Sequence, residues 1–261
     1  MKVVILCGGK GTRLKEETEF RPKPLVEIGE MPILWHIMKI YSHFGFKDFI
    51  LCLGHKGNMI KDYFLNFEEW SNDFTLQLRA KGEEKVIHYK PENLENWNIT
   101  FADTGINSMT GARVARIKNY LEGEEDFFLT YGDGLANIDL NKLYNFHKEN
   151  GKIITVAGIN PPTFFSSLKI EGNQVKAFSE KIPLKTVVSG GFFVCNKKIF
   201  NYLSDNESCV LEEEPLAQAA QDGQMSVYFH PDFWYTMNTA KEAEELNKMW
   251  QTGKTPWAIW K

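Results

Sequence analysis

The sequence has no apolar run long enough to cross a bilayer, no internal repeat, no linker and no low-complexity segment. Those absences exclude a helical membrane protein, a repeat array and a string of tethered modules. Its four cysteines, Cys7, Cys52, Cys195 and Cys209, show no Cys-x-x-Cys spacing. Three of them sit in apolar strand-like runs, a pattern of buried free thiols rather than of a disulfide frame or zinc site. His36, His43, His55, His88, His147 and His230 share no His-x-x-x-His spacing, so structural or surface roles are expected for them. A basic excess is missing too: 30 Lys and Arg against 34 Asp and Glu give a net charge of −4. That balance argues against a general nucleic-acid binder and leaves any working cations to act locally. The N-terminus enters a strand without a signal-peptide pattern, so a cytoplasmic protein away from the membrane is expected.

What is present is ordinary globular composition, 43% hydrophobic and 25% charged over 261 residues, enough for one large domain with a sizeable core. Residues 2–7 read as a short buried strand, because β-branched residues dominate and glycines stop it. Ile33, Ile37, Ile40, Tyr41 and Phe44 recur at helical spacing, and Gly45 closes that helix. Residues 49–53 form a second apolar strand, 54–57 a turn and 58–67 a helix. Strand, helix, strand, helix at this spacing predicts βαβ units and a parallel sheet. Further strands are expected at 74–79, 85–90, 98–103, 127–131 and 153–159, with helices at 111–121 and 140–148. From 161 to 194 the pattern changes to short strands and turns, with a hairpin turn near Gly172-Asn173. Glu212-Glu213-Glu214-Pro215 opens a helix whose dipole suits the negative charge. A final helix covers 240–250 and leads to a tail carrying Trp257 and Trp260. The fold class is therefore α/β: a Rossmann-like mixed, mostly parallel sheet flanked by helices, with a small β-rich region.

The first strand runs into Gly8-Gly9-Lys10-Gly11-Thr12-Arg13-Leu14, and Arg21-Pro22-Lys23-Pro24 follows. Glycines let backbone N–H groups approach and point at a ligand, which suits polyphosphate. Thr12, Arg13 and Lys23 add donors and positive charge. A P-loop would need Gly-Lys-Ser/Thr where Gly11-Thr12-Arg13 stands, and a dinucleotide loop would need a third glycine where Leu14 stands. The same residues also fit a plain glycine turn with solvated cations. Pro22 and Pro24 restrict the backbone on both sides of Lys23, which favours a held, working lysine. Further on, Tyr131-Gly132-Asp133-Gly134 places Asp133 at the C-terminal end of a buried strand, where open α/β sheets bind ligands. A carboxylate there suits Mg²⁺ bridging phosphate oxygens, although a Gly-Asp-Gly turn needs no ligand.

Gly8 to Leu14, followed by Arg21-Pro22-Lys23-Pro24-Leu25-Val26, resembles the signature of nucleoside-diphosphate-sugar pyrophosphorylases. The run Ile33-Leu34-Trp35-His36-Ile37-Met38-Lys39-Ile40-Tyr41 is similar, more narrowly, to the glucose-1-phosphate cytidylyltransferase branch, and the likeness runs nearly end to end. The resemblance implies one nucleotidyltransferase domain over 1–261, its nucleotide half in 1–160 and its acceptor half in 161–261. It implies transfer of CMP from CTP to a small phosphorylated acceptor, with pyrophosphate leaving. On the nucleotide side it marks Leu6, Gly8, Gly9, Gly11, Thr12, Arg13, Lys23, Thr104, Thr110, Gly111, Arg113 and Asp133, with Arg113 as the charged contact. Ser179-Glu180-Lys181 resembles the family's Ser-Glu-Lys-Pro, so Glu180 and Lys181 face the acceptor, as do Phe164, Ser189, Gly190 and Tyr235. Arg13, Lys23 and Lys181 are the catalytic cations, and Asp133 and the position of Asn238 hold Mg²⁺. No strong general base is needed, because the second phosphate pKa is about 6 and the nucleophile is already anionic. Catalysis is then positioning and charge neutralisation.

Several acceptor-side residues depart from the family pattern. Phe164 stands in a stretch that usually carries Arg, Phe and Gly, Ser189 replaces an asparagine, Ile182 replaces a proline, and Asn238 replaces a second metal-binding aspartate. The glycine loop is intact. That asymmetry leads to the expectation of a retained CTP site with an acceptor other than glucose 1-phosphate. L-glutamine phosphate, giving CDP-L-glutamine for capsule polysaccharide modification, is the candidate. Glucose 1-phosphate, giving CDP-glucose, is the alternative, and a non-catalytic CTP-binding regulator is the alternative of another class. Family members form oligomers, and Trp257 and Trp260 fit either an interface in a homo-oligomer or the core of the monomer.

Overall fold

The structure is a computed structural model that describes residues 1–79, 82–89, 95–160, 167–171, 174–179 and 186–261. Seven strands form the main sheet in the spatial order Met225–Phe229, Ile154–Ile159, Val188–Asn196, Asp126–Tyr131, Val3–Leu6, Asp48–Leu53, Asn98–Asp103. The four strands at the Asn98–Asp103 edge run parallel, as the βαβ spacing predicts. Val188–Asn196 runs antiparallel between Ile154–Ile159 and Asp126–Tyr131, which makes the sheet mixed.

The central strands are buried on both faces, so apolar residues fill both parities of each strand. Val3, Ile5 and Cys7 enter one core, with the helices Ile33–His43, Leu140–Asn150 and Ala240–Gln251. Val4 and Leu6 enter the other, with Val114, Ile117, Leu121, Ile199 and Ala219. Cys7, Cys52 and Cys195 are buried free thiols within these cores.

Differences from the sequence expectation lie mostly at element ends. The helix expected over 58–67 is two, Gly57–Leu65 and Phe67–Ser71. Asn66 ends the first, its amide donating back to the Asp62 carbonyl at 2.7 Å. The helix expected over 111–121 is Thr110–Arg116 and then a 3-10 turn, Lys118–Leu121. Asp73–Arg79 and Gly82–His88 pair with each other, outside the main sheet. Ser167–Glu171 and Gln174–Ser179 form the hairpin expected around Gly172-Asn173, those two turn residues lying outside the described set. The strand Met225–Phe229 was not foreseen, although its run Met-Ser-Val-Tyr-Phe is rich in apolar and β-prone residues. No helix among the described residues is long and apolar enough to cross a membrane.

The tail belongs to the core. Trp257 is fully buried, and its indole N–H donates to His36 Nδ1 at 3.4 Å. His36 Nε2 donates to the Ile28 carbonyl at 2.9 Å, so both ring nitrogens are used by the neutral form. Burial pushes the imidazole down to about 4, against the Ile28 hydrogen bond that raises it. The folded pKa lies below the unfolded one, so stability is full above pH 6.5 and is lost as pH falls through 6.5 toward 4. We expect His36→Gln to flatten the fall in melting temperature across that window relative to the parent chain. An identical pH profile for the two would refute the assignment.

Candidate functional site

Four parallel strands end at one edge of the sheet, and Cys7-Gly8, Gly132-Asp133 and residues 106–110, which follow three of them, line a cleft of about 550 Å³. That volume suits a small-molecule site. Its floor is stitched by backbone bonds: Cys7 N–H donates to Cys52 O at 3.0 Å and Gly132 N–H to Leu6 O at 3.1 Å. The cleft brings together Leu6, Gly8, Gly9, Gly11, Thr12, Arg13, Lys23, Thr110, Arg113, Asp133 and Asn238 among the residues expected from sequence.

The glycine loop is held by its carbonyls. Gly8 O accepts from His55 N–H at 3.1 Å and from Arg113 Nη2 at 2.9 Å. In a trans peptide the following N–H points the opposite way, so Gly9 N–H is turned from those partners. Gly11, at φ +63°, has its carbonyl taken by Leu14 N–H at 2.9 Å and the Thr18 hydroxyl at 3.1 Å. A Cβ on Gly8 would lie 2.2 Å from Arg113 Nη1, so glycine there is required by the guanidinium beneath it.

Arg113 lies beneath that loop at the edge of the cleft. It is only 3% exposed, and its Nη1 lies 2.8–2.9 Å from Leu53 O, the Thr104 hydroxyl and Gly105 O. Its Nη1 and Nη2 groups bond the protein, so it braces the loop from below while also lining the cleft. Burial lowers its pKa, although a guanidinium stays charged in any ordinary range. Thr104 is likewise fully buried, donating its hydroxyl to Leu53 O at 2.6 Å. Gly111 is a packing glycine, since a Cβ there would lie 2.6 Å from Cys209 Sγ.

Opposite the loop, Lys23 Nζ donates to Asp133 Oδ2 at 2.5 Å and to Asn238 Oδ1 at 3.1 Å. The 3-10 turn Lys23–Leu25 presents the lysine, and Pro24 lies against Gly132, where a Cβ would be 3.0 Å from Pro24 Cγ. Asn238 is brought in by a backbone bond, Met237 N–H to Asp133 O at 2.9 Å. Glu242 fixes its main chain, accepting from Asn238 N–H at 2.6 Å within the capping box of the Ala240–Gln251 helix. The Asn238 amide donates to the Thr236 hydroxyl at 2.8 Å, which leaves its oxygen toward Lys23. Both oxygens face the Lys23 ammonium; they are hard donors of the kind that suit Mg²⁺, which would share them with the lysine.

Sequence reasoning missed Glu212 and Tyr131, which line the cleft. The Tyr131 hydroxyl donates to Glu212, as does the Thr110 hydroxyl at 2.5 Å. Burial, and then the Glu212 charge, raises the Tyr131 pKa, so the phenol stays a donor. Read from sequence, Glu212 was a helix-dipole charge, but the helix spans Glu214–Gln221 and Glu212 precedes it.

The acceptor-side expectations divide. Phe164, Glu180 and Lys181 lie outside the described residues. Ser189 is exposed, and Gly190 is buried with its carbonyl accepting from Trp234 Nε1 at 2.7 Å. Neither lines this cleft. Tyr235 faces away: strand parity puts Trp234 and Thr236 on the Gly190 and Asn238 side, while the Tyr235 hydroxyl donates to Glu245. Trp234 is the aromatic residue on the side where Tyr235 was expected.

A nucleotide-like cleft at the carboxyl edge of a Rossmann-like sheet, gripped by a glycine loop and a lysine–carboxylate pair, defines a nucleotidyl-transferring class of protein. The chain belongs to the nucleotidyl transferase family, whose model matches residues 2–253. It is 46% identical over 260 residues to the probable glucose-1-phosphate cytidylyltransferase of Bacillus subtilis, covering 100% of both chains. It is 45% identical over 261 residues to the glucose-1-phosphate cytidylyltransferase of Salmonella typhimurium, again covering 100% of both. Among solved structures it is similar in fold to HddC from Yersinia pseudotuberculosis, at TM-score 0.68 and 20% identity over 95% of this chain and 99% of that one. A putative glucose-1-phosphate thymidylyltransferase from Bacillus anthracis matches at TM-score 0.67 and 15% identity, covering 95% and 94%.

Proposed function

We propose that the protein is a glucose-1-phosphate cytidylyltransferase, moving CMP from CTP to glucose 1-phosphate and releasing pyrophosphate. The observation that carries the nucleotidyl-transfer reading is the meeting of the glycine loop with Lys23, Asp133 and Asn238 in one cleft. CTP and the sugar phosphate are favoured by the two full-length relatives at 45–46% identity, both bearing that activity in their names. Those relatives favour glucose 1-phosphate over the phosphoglutamine suggested by the changes at Phe164, Ser189 and Asn238. Asn238 also keeps an oxygen toward Lys23, so the change from carboxylate to amide leaves a ligand atom in place.

In this reading an acceptor phosphate oxygen attacks the α-phosphorus, and the bond from that phosphorus to the β-bridging oxygen breaks. Two polyanions must meet, so cations carry the step. The glycine-loop N–H groups and Arg13 hold the triphosphate, and Lys23 neutralises charge on it. Lys181, by its place in Ser179-Glu180-Lys181, is assigned the acceptor phosphate. Asp133 and Asn238 would hold Mg²⁺, which supplies positive charge to phosphate oxygens when bound.

The test is a coupled pyrophosphate-release assay with CTP, Mg²⁺ and each acceptor in turn. We expect glucose 1-phosphate to be used at least about tenfold faster than L-glutamine phosphate, a difference that a built acceptor site readily supplies. Faster turnover with glutamine phosphate would overturn the sugar reading, and CTP binding without turnover on any acceptor would favour a regulatory protein. Asn238→Asp is expected to lower the Mg²⁺ concentration needed for half-maximal rate, because a carboxylate is the stronger hard ligand, without changing the acceptor ranking.

A further inference from the structure

Lys56 is the only non-glycine residue with positive φ among the described residues, at φ 54° and ψ 26°. A left-handed backbone suits Gly or Asn far better than lysine. Such an outlier persists where its surroundings hold it, and it points to a role for the side chain. Lys56 sits in the tight turn after the strand Asp48–Leu53, where Gly57 N–H donates to Gly54 O at 3.0 Å. From that turn its ammonium crosses to the segment after the glycine loop. It donates to Thr18 O at 2.8 Å and to Glu19 O. These carbonyls lie at the C-terminal end of the short helix Lys15–Thr18, where acceptors without an intrahelical partner favour a cation.

Thr18 carries the contact into the loop. Its hydroxyl donates to Leu14 O at 2.8 Å and to Gly11 O at 3.1 Å, while its methyl would lie 2.6 Å from a Cβ on Gly11. The neighbouring residue of the same turn, His55, donates its N–H to Gly8 O. The turn 54–57 therefore grips the loop at both ends: at Gly8 through the His55 main chain, and at Thr18 and Glu19 through the Lys56 side chain.

We propose that Lys56 is a positioning residue for the triphosphate loop, holding residues 8–19 in their phosphate-ready conformation from the back. It is not among the residues that line the cleft. The inference rests on the proposed cytidylyltransferase reading for its kinetic consequences, but not for its structural ones. An unsupported loop must be ordered at each binding event, so the cost falls on CTP rather than on the acceptor.

The test compares Lys56→Met, Lys56→Arg and Lys56→Gly with the parent chain in steady-state kinetics and in amide hydrogen exchange of the unliganded protein. Lys56→Met is expected to raise the KM for CTP about tenfold with little change in acceptor KM. Lys56→Arg, which can still reach carbonyls as a cation, should recover most of that loss. Lys56→Gly relieves the backbone strain yet removes the amine, so it should match Lys56→Met in kinetics without a lower melting temperature. Exchange in Lys56→Met should quicken over residues 8–19 while 33–43 is unchanged. A CTP KM within about twofold of the parent in Lys56→Met, or equal rises for both substrates, would overturn the proposal. If the parent chain turned over no CTP, the functional reading would fail by itself. Exchange would still decide Lys56: faster exchange confined to 8–19 supports it, and unchanged exchange overturns it.

Discussion

On the proposed reading, Lys23→Met is expected to lower kcat/KM for CTP by about 10³-fold, a loss of about 4 kcal/mol of transition-state stabilisation. The argument starts from the charge the lysine must answer. In the proposed reaction a triphosphate and an acceptor phosphate would bring several negative charges into one cleft, where Lys23 is held between two prolines, 13% exposed. Methionine keeps most of the length and removes the ammonium, so the change isolates charge from packing. Because the site opens to solvent and its carboxylate partner is 24% exposed, the unpaired Asp133 remains hydrated. The melting temperature should therefore stay within a few degrees of the parent. Lys23→Arg should restore only part of the rate, since a planar fork cannot occupy the compact position between Asp133 Oδ2 and Asn238 Oδ1. Parallel measurement of rate and melting temperature checks the claim, and a loss of rate matched by a collapse of stability would defeat it.

If Asp133 holds Mg²⁺ as proposed, Asp133→Asn is expected to lower kcat by about 10³-fold at a fixed millimolar Mg²⁺ concentration and to raise the Mg²⁺ needed for half-maximal rate. With Asn already at 238, this substitution leaves the cleft's cation position with two neutral amide oxygens and no carboxylate. Neutral carbonyls bind a hard divalent cation weakly compared with a carboxylate. The same change removes the anionic partner of Lys23, freeing that ammonium. Binding of CTP without metal should therefore be unchanged or stronger, while turnover falls. A Mg²⁺ titration of the rate, beside calorimetry of CTP in chelator, separates the two effects. Unaltered Mg²⁺ dependence would remove Asp133 from the metal-holding role.

Much of the architecture is legible locally. The first strand, the helix Ile33–His43 and the strand Asp48–Leu53 follow from apolar period and from the glycines that bound them. The C-terminal helix announces itself through Thr239 and Glu242, which form its capping box. Less legible was the antiparallel strand Val188–Asn196, because a strand buried on both faces has the same apolar run in either direction. Boundaries slipped where a single polar side chain ended an element, as Asn66 does.

What the sequence alone determined is the glycine loop after a buried strand, the proline-braced Lys23, and Asp133 at a strand's C-terminal end. Each is a local pattern in which residue type and spacing carry the chemistry. Only the tertiary structure decided how these residues are used. Arg113 reads as a charged contact on a helix but is buried, with both Nη groups bonded to three backbone carbonyls and the Thr104 hydroxyl. Tyr235 turns its hydroxyl to Glu245 while Trp234 reaches the Gly190 carbonyl, because neighbouring residues on a strand face opposite sides. Lys23 finds Asn238 across 215 positions, and Lys56 reaches back to the loop across 37 or 38. Such pairings depend on which turns the sheet brings to one edge, and a lone lysine or glutamate in the chain looks the same whether it will be solvated or held.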